Sequence, residues 1–299
     1  MIDFTNMPTR KKTYAGANGG KIAVIYEGEQ YMLKFPAPPK RNREMSYTNG
    51  CVSEYLGSHI FDIAGIPVQE TLLGIYTVNG KEKVVVACKD FTSHDTVIQD
   101  FASLKNTLID SGHDGYGTEL SEILEAIENQ TAIDPETLKT RFWDMFIVDA
   151  LIGNWDRHNG NWGFLYNSRT DEMTIAPVYD CGSCLYPQAD ESIMKITLEN
   201  PTEMDFRVFE IPLSGIRQGG EKIRYFHFIS SLENKDCNAA LKRITPKIDM
   251  KRINALVNGT PFISELQKTF YKTMLAERKK KILDKSLQLL RKRERASEK

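Results

Sequence analysis

The segment Asn154-Trp155-Asp156-Arg157-His158-Asn159-Gly160-Asn161 is a largely polar loop that directly follows an apolar stretch, residues 140–152. That stretch is apolar on nearly all sides of a helix, a pattern typical of a helix buried in a core. Gly153 can end the helix, because glycine readily adopts the left-handed conformation found after helix C-termini. The sequence therefore predicts a rigid, buried helix that delivers a polar loop to the edge of the core.

Two strand-like segments, residues 161–166 and 173–179, follow this loop and predict a β-hairpin. If the turn lies midway between them, Asn161 faces approximately residue 178 on the returning strand. Adjacent strands run about 5 Å apart, so Asp180 would return to within roughly two residues of Asn161. The hairpin thus predicts that an amide and a carboxylate from distant sequence positions lie side by side.

These side chains suit the transfer of a phosphoryl group. Mg²⁺ prefers hard oxygen ligands and commonly takes one or two from the protein and the rest from phosphates and water. Asn161 and Asp180 can supply the protein ligands, which leaves Asp156 to accept the proton of an attacking hydroxyl. The order Asp-x4-Asn, hairpin, Asp is that of the catalytic and metal-binding loops of protein kinases. The alternative is that residues 156–161 form an ordinary polar turn and that Asp180 caps the end of a strand. Either the loop or Asp180 taken alone would favour this alternative.

A run of small residues before the first strong strand candidate could bind phosphate. Backbone N–H groups in such a segment can approach phosphate oxygens closely. The residues concerned are Gly16, Ala17, Asn18, Gly19 and Gly20. The signal is weak by itself, because the segment matches neither the Walker pattern nor the usual glycine-rich fingerprint.

Lys34 strengthens the case for a nucleotide site. It is flanked by apolar residues in a strand candidate, where a lysine is costly to bury without a partner. With the preceding turn centred near Gly28, Lys34 sits opposite Ile22, at the glycine-rich end of the hairpin. From there it could hold the α- and β-phosphates, with Glu54 on the following helix candidate as its ion-pair partner. The alternative is an exposed lysine on an edge strand.

The order of elements predicts an α+β, two-lobed fold of the protein-kinase type, with a small strand-rich lobe over residues 1–91 and a larger, mostly helical lobe over residues 92–299. In the small lobe, strands are expected at residues 21–26, 31–35, 70–78 and 82–88, a helix at 46–63, and a turn at Asn79-Gly80. Adenine would need backbone groups between the lobes, and the residues placed for that are Ala87, Cys88, Lys89 and Asp90.

Composition excludes several classes of protein. The formal net charge is −1 over 299 residues, so bulk charge favours neither nucleic acid nor a membrane surface as partner. Five cysteines argue against a disulfide framework and fit a reducing compartment. No basic region followed by an apolar stretch marks a secretory signal at the start, and no apolar run approaches the length of a membrane span. A cytoplasmic location is the resulting expectation.

Four motifs together resemble those of the HipA-like serine/threonine kinases: Tyr14-Ala15-Gly16-Ala17-Asn18, Met32-Leu33-Lys34-Phe35-Pro36, Asn154-x-Asp156-Arg157-His158-x-x-Asn161 and Ala176-Pro177-Val178-Tyr179-Asp180. The resemblance spans most of the chain. Further stretches are most similar to the short branch of that family called cell-translocating or pro-inflammatory kinases, namely residues 44–50, 85–91 and 180–189.

The resemblance implies a protein kinase that uses ATP and Mg²⁺ to phosphorylate serine or threonine in a protein substrate. Carried over by motif, Lys34 binds phosphates, Asp156 is catalytic, and Asn161 and Asp180 bind the metal. Members of the family also autophosphorylate, some of them in the glycine-rich loop, and Thr13 is the candidate site here. The resemblance further allows export from the cell without a signal peptide.

Two other features carry weaker signals. The pair Cys181 and Cys184 has the spacing of a zinc or redox motif, but no further ligands are obvious and packing beside Asp180 is the favoured interpretation. Residues 268–299 are basic and helical in pattern, which fits a solvated helix face. The alternative is a contact with an acidic partner, including a host protein, or a nuclear-import signal.

Three other functions remain as alternatives to a protein kinase. A catalytically silent nucleotide-binding module would act by contacting a partner, although the two acidic residues and Lys34 weigh against it. A lipid kinase of related fold is disfavoured by the neutral charge and the lack of an amphipathic anchor. A nucleic-acid binder would use the basic residues 268–299 and would bind with steep salt dependence.

Overall fold

The computed structural model describes residues 2–14, 20–37, 48–108 and 114–297. Within these ranges, strands dominate the amino-terminal part of the chain and helices dominate the rest. The α+β fold class predicted from the sequence is confirmed. The predicted lobe boundary after residue 91 falls between two of the strands and stays a prediction.

The amino-terminal lobe is built on one mixed sheet. Its strands are β1 (Ile2–Asp3), β2 (Thr9–Arg10), β3 (Lys21–Tyr26), β4 (Glu29–Lys34), β5 (Thr71–Val78) and β6 (Lys81–Lys89). They lie in the order β1-β5-β6-β4-β3-β2, with β1 parallel to β5 and the other neighbours antiparallel. The turns Glu27-Gly28 and Asn79-Gly80 have positive φ at both residues, as two-residue hairpin turns favour. The predicted turn at Asn79-Gly80 is therefore confirmed.

The register of the β3–β4 hairpin differs from the sequence-based expectation by one residue. Lys34 pairs with Lys21, and Ile22 pairs with Leu33. The turn is the two-residue pair Glu27-Gly28, so its centre lies half a residue earlier than a turn centred on Gly28. Lys34 still lies at the glycine-rich end of the hairpin, because β3 begins at Lys21.

Helix α1 (Gly50–Ile63) joins the sheet to the second lobe. It packs against β5 and β6 on one side and against helices of the second lobe on the other. Leu56, Ile60 and Phe61 are buried at these contacts. The helix was predicted at residues 46–63. Residues 46–47 lie outside the described residues, and residues 48–49 form a turn, so the helix begins at Gly50.

The second lobe is mostly helical, as expected. Its helices are α2 (Phe101–Leu108), α3 (Leu120–Asn129), α4 (Pro135–Ile152), α5 (Glu191–Glu199), α6 (Pro201–Phe209), α7 (Tyr225–Ser231), α8 (Lys235–Ile244), α9 (Met250–Gly259), α10 (Glu265–Arg278) and α11 (Lys285–Ser297). A 3₁₀ turn (Thr245–Lys247) follows α8, and a π-helical segment (Lys279–Asp284) joins α10 to α11.

Helix α4 is the buried helix that the apolar stretch predicts. It starts earlier than residue 140, because the Asp134 carboxylate accepts a hydrogen bond from Thr137 N at 2.9 Å and Pro135 fits the first turn. It ends at Gly153, whose φ of 64° is the left-handed conformation expected there. The polar loop that follows therefore leaves a fixed point in the core.

The predicted hairpin forms after the polar loop, and a strand that the sequence did not predict pairs with it. Strands β8 (Gly163–Asn167) and β9 (Glu172–Ile175) are antiparallel, with Phe164 opposite Ile175. The pairing ends with Ala176 N, which donates to Gly163 O at 2.9 Å. Strand β8 begins at Gly163 rather than at residue 161, so the predicted position of Asn161 opposite residue 178 lies outside the strand pairing. The added strand, β7 (Thr96–Asp100), pairs with β8, and a small hairpin of β10 (Arg217–Gln218) and β11 (Glu221–Lys222) lies further along the chain.

The returning strand was predicted to continue to residue 179, but β9 ends at Ile175. Beyond it the backbone pairs with the segment that precedes β5 instead. Val178 N donates to Pro67 O at 2.9 Å, and Gln69 N donates to Val178 O at 2.8 Å. The approach to Asp180 is thereby fixed to the chain segment between α1 and β5.

The basic residues 268–299 are helical as predicted, over the part of this range that the structure describes. Arg278 is buried rather than solvated, and its guanidinium donates to Ala150 O at 2.8 Å and to Val208 O at 3.2 Å. Lys281 pairs with Asp205 at 2.5 Å. Much of the first basic run therefore serves packing within the chain. Among the described helices, none has the length and apolarity needed to span a membrane.

Substitution of Gly57 tests how closely α1 packs against the second lobe. A Cβ at this position would lie 2.8 Å from both Cys181 Cβ and Cys184 Sγ. We expect Gly57→Ala to lower the free energy of unfolding by about 1–3 kcal/mol, because an overfilled core forces its neighbours to move. Urea denaturation followed by tryptophan fluorescence measures the change.

Gly259 provides the matched control, since a Cβ there meets no atom within 4 Å. Gly259→Ala should change stability by less than about 1 kcal/mol. Equal stability of the two variants would contradict the close packing of α1.

Candidate active site

Lys34 at the end of β4 reaches two carboxylates. Its Nζ lies 2.7 Å from Glu54 Oε2 on α1 and 3.0 Å from Asp180 Oδ1 after the hairpin. Burial alone would lower the pKa of Lys34, but the Asp180 and Glu54 carboxylates raise this pKa well above its ordinary value. The ammonium group is therefore charged at neutral pH, and it joins the sheet, α1 and the second lobe at one point.

Glu54 is the most enclosed member of this group. Its side chain is 2% exposed, and its Oε1 accepts a hydrogen bond from Cys181 N at 2.8 Å. A Cβ on Gly182 would lie 3.1 Å from Glu54 Oε2, so the backbone passes close over the carboxylate. Glu54 thus orients Lys34 with one oxygen and holds the backbone next to Asp180 with the other.

Hydrogen bonds within the polar loop fix the shape of residues 154–161. Asp156 N donates to Asn154 Oδ1 at 3.2 Å, and Asn161 Nδ2 donates to Asp156 O at 2.8 Å. Because the amide nitrogen of Asn161 is engaged in this bond, the amide oxygen is the atom left to bind a cation. The His158 Nδ1 accepts from Gly160 N at 3.0 Å, a structural contact within the loop.

Arg157 ties the loop to the returning strand. Its Nη1 donates to Asn161 O at 2.8 Å and to Tyr179 O at 2.6 Å. Asn161 and the residue before Asp180 are therefore held by a single guanidinium nitrogen. Arg157 therefore adds to the hairpin a second connection between the loop and the residue before Asp180, and the proximity of Asn161 to Asp180 itself stays a prediction.

Asp149 on α4 is the partner of Arg157 and was missed as a site residue. Its two oxygens accept from Arg157 Nε at 3.0 Å and from Nη2 at 3.2 Å, and Oδ1 also accepts from Asn154 Nδ2 at 2.9 Å. Burial alone would lower the pKa of Arg157, but the Asp149 carboxylate raises it. The sequence did contain a signal, because Asp149 is an acid inside an otherwise apolar stretch and such an acid needs a buried partner.

The acidic residues of the site differ in their electrostatic environment. Lys34 lowers the pKa of Asp180 against the opposing effect of burial, so Asp180 is ionised well below neutral pH. Burial raises the pKa of Asp156, His158 opposes this increase and Asp180 adds to it. A carboxylate with a raised pKa is a stronger base than a free one, whereas Asp180 is suited to bind a cation.

A divalent cation fits the oxygen atoms that remain. Asp180 gives one oxygen to Lys34 and keeps Oδ2, and Asn161 keeps its amide oxygen. Two hard oxygen ligands from the protein are the usual supply for Mg²⁺ bound together with phosphates. The chemistry of these donors therefore fits the predicted metal.

Cys181 and Cys184 pack under this site as thiols. Cys181 lies 3.6 Å from Arg157 Nη2, and the Cys184 Sγ lies 3.3 Å from Ser53 O. Burial raises the pKa of Cys181 to about 12. Burial also raises the pKa of Cys184 well above its ordinary value, so both thiols are protonated and unreactive near neutral pH.

The predicted phosphate-binding segment is described only at its ends. Gly16, Ala17, Asn18 and Gly19 lie outside the described residues. Gly20 precedes β3, and its O accepts from Phe35 N at 3.2 Å. Thr13 is exposed, in the segment between β2 and Gly20.

Asp90, one of the residues predicted to contact adenine, holds the start of this segment through its side chain. Its Oδ2 accepts from Lys12 Nζ at 2.6 Å, from Tyr14 OH at 2.8 Å and from Gln30 Nε2 at 2.7 Å. Its Oδ1 accepts from Thr92 N at 2.9 Å. Burial alone would raise the pKa of Asp90, but the hydrogen bonds from Lys12 and Thr92 lower it to about 2.

The other residues predicted to contact adenine lie at the end of β6. Ala87 and Cys88 are buried and paired on both sides within the sheet. Lys89 N donates to Glu70 O and Asp90 N donates to Gln30 O, both at 2.8 Å. These two donors are occupied, so adenine would have to use other backbone groups of this segment.

The lysine–glutamate pair, the polar loop and the metal-suited oxygens lie in a two-lobed α+β fold, an arrangement that defines a phosphotransferase of the protein-kinase class. A family model described as the HipA-like C-terminal domain matches residues 10–251. The chain belongs to this family.

Similar proteins agree with that assignment. The chain is 52% identical over 285 residues to the serine/threonine-protein kinase CtkA of Helicobacter pylori, covering 95% of this chain and 86% of the relative. The crystal structure of a H. pylori proinflammatory kinase CtkA matches with a TM-score of 0.91 and 51% identity, over 96% of each chain. At the level of class, the chain is a serine/threonine-protein kinase.

A more distant structure shows the fold alone. HipA of Shewanella oneidensis MR-1, solved with HipB and operator DNA, matches with a TM-score of 0.56 and 15% identity. That match covers 93% of this chain and 68% of the HipA chain.

Asp149→Asn tests the contribution of the buried ion pair. It should lower the free energy of unfolding by about 3–5 kcal/mol, because Arg157 would keep a buried charge without its carboxylate. Thermal and urea denaturation measure the loss. Glu265→Gln removes an exposed partner of Lys268 and should cost less than about 1 kcal/mol. Equal losses in the two variants would show that the pair does not hold the loop.

Proposed function

We propose that this protein transfers the γ-phosphoryl group of ATP to a serine or threonine hydroxyl of a protein, with Mg²⁺ bound at Asn161 and Asp180. The observation that carries the proposal is the position of Lys34, whose charge is held between Glu54 and Asp180. A cation fixed beside a metal-suited carboxylate is placed to bind phosphate oxygens, and protein kinases pair a lysine and a glutamate in this way.

In the proposed reaction, the hydroxyl oxygen of the substrate attacks the γ-phosphorus, and the bond from that phosphorus to the β–γ bridging oxygen breaks. ADP leaves with that electron pair, and Asp156 accepts the proton of the hydroxyl. Lys34 holds the α- and β-phosphates in line. Mg²⁺, when bound, neutralises charge on the phosphate oxygens. Asn154 and Arg157 keep Asp156 in position through the loop hydrogen bonds.

The remaining contacts to ATP are proposed from the positions of the residues in the fold. Gly20 and the small residues before it would cover the phosphates from the β2–β3 connection, and residues 87–90 would border adenine. Thr13 is the proposed site of autophosphorylation, because it is exposed and lies in that connection.

Asp156→Ala and Asp180→Ala test the assignment directly. Each should lower the rate of phosphoryl transfer by at least about 10²–10³-fold, because each removes a group placed for the transition state. The measurement is incorporation of label from γ-labelled ATP into the purified protein and into protein substrates, with phosphosite mapping by mass spectrometry. Mapping also shows whether Thr13 is modified.

Asp62→Ala on the exposed face of α1 is the control and should retain the wild-type rate. Autophosphorylation by Asp180→Ala at a near wild-type rate would contradict the metal assignment. Nucleotide binding by the wild-type protein without any transfer of label would favour a silent binding module, and label in phosphoinositide vesicles but not in protein would favour a lipid kinase.

Asp90→Asn tests whether the contacts of Asp90 hold the phosphate-binding segment in place. We expect the KM for ATP to rise by about tenfold with a smaller change in kcat, because the charged hydrogen bond to Lys12 is lost. Initial rates over a range of ATP concentrations measure both constants. Asp171→Asn is the control, since that exposed carboxylate accepts from Tyr166 OH at the hairpin turn. An unchanged KM in Asp90→Asn would rule out this role.

A further inference from the structure

A cavity of about 460 Å³ lies in the second lobe, next to the polar loop that carries the proposed catalytic base. One of its walls includes Trp155, the residue directly before Asp156. The other walls come from the segment that follows Asp180 and from a loop before the β10–β11 hairpin, and they include Pro187, Ile193, Ile211 and Leu213. The cavity is therefore largely apolar, and Trp155 in its wall is next in sequence to the proposed catalytic base.

Lys222 on β11 supplies a positive charge at this cavity. Its Nζ lies 5.9 Å from the centre of the Trp155 ring. Its positive charge opposes the increase that burial causes in the pKa of Asp156. Within the described residues, no carboxylate lies within 4.0 Å of Lys222 Nζ. Arg207, the other cation of the cavity, is already paired with Glu203 at 2.8 Å.

The hairpin that carries Lys222 is fixed in place. Glu119 Oε1 accepts from Gly219 N at 2.7 Å, and Glu119 Oε2 accepts from Gly220 N at 3.1 Å. Arg217 N donates to Thr118 O at 2.8 Å, which ties the other strand of the hairpin to the same segment. Lys222 is thus held by the fold beside Trp155, and it forms no ion pair with the residues that the structure describes.

We propose that this cavity binds the substrate polypeptide next to its phosphoacceptor, and that Lys222 selects a substrate with an acidic side chain there. The inference rests on the proposed function. An extended chain advances about 3.3 Å per residue, and Trp155 in the cavity wall directly precedes Asp156, so the cavity would receive residues close to the acceptor in sequence. An apolar neighbour would fill the space between Trp155 and Leu213, while a carboxylate would pair with Lys222.

The charge of the site supports an acidic partner. A lysine beside an indole and an apolar wall is partly shielded from water, which strengthens its attraction for a carboxylate. A basic residue at the same place would be repelled and left without a partner, a cost that discriminates between substrates. The acceptor sequence is therefore expected to be a serine or threonine with aspartate or glutamate nearby.

The test uses degenerate peptides with a central serine or threonine, in which each neighbouring position is fixed in turn as Asp, Leu or Lys. The wild-type protein with ATP and Mg²⁺ should prefer Asp over Lys at one or more positions, on the order of fivefold to tenfold. Lys222→Glu should reverse that preference, and Lys222→Gln should remove it. Ratios between peptides are compared within each variant, so a general change in rate through Asp156 cancels.

Lys81→Glu carries the same charge change on the exposed end of β6 and should keep the wild-type preference. Binding of ATP, measured by titration calorimetry, should stay within about twofold in Lys222→Glu. An unchanged peptide preference in Lys222→Glu would overturn the inference while leaving the proposed function intact, as would a loss of ATP affinity alone. A wild-type protein that binds ATP but phosphorylates no peptide or protein would overturn the proposed function and this inference with it.

Discussion

The buried ion pair of Arg157 and Asp149 fixes the geometry of the proposed active site. It connects the core helix α4 to the loop that carries Asp156, and the same guanidinium holds the carbonyls of Asn161 and Tyr179. A buried ion pair is a poor source of net stability, because desolvation offsets its attraction. Its value here lies in specificity, since the guanidinium meets its several acceptors together in one arrangement of loop and strand.

Close backbone packing at two glycines holds the neighbouring elements against the loop that carries Asp156 and against the segment that follows Asp180. Gly57 lets α1 lie against Cys181 and Cys184, and a Cβ on Gly215 would come within 2.9 Å of Arg157 N. Because α1 also carries Glu54, this packing sets the distance between Lys34 and Asp180. The ion pairs of Lys34 are consequently a result of helix position as much as of attraction between charges.

Apparently similar charges in this chain have different roles because their surroundings differ. Arg278 belongs to a basic run in the sequence, yet it is buried and donates to backbone carbonyls at the base of α4. Lys222 belongs to no run, yet it lies beside Trp155, which precedes the proposed base, without a carboxylate partner among the described residues. The contacts that a charged side chain makes in the fold therefore decide whether water and ligands can reach it. Its position in a basic run of the sequence does not.

Local sequence signals predict the buried helix before residue 154, the hairpin after the polar loop, the pairing of Lys34 with Glu54 and the α+β class. Each of these follows from local periodicity, a turn signal or the cost of an unpaired buried charge, and all of these act over short distances. Four features are visible only in the folded chain. Asp149 pairs with Arg157, β7 pairs with the hairpin, Val178 bonds to residues 67–69, and Asp90 binds Lys12 and Tyr14. Apart from the pair of Asp149 and Arg157, these contacts join segments far apart in the chain. Many partners would satisfy each group equally well until packing of the whole fold selects one.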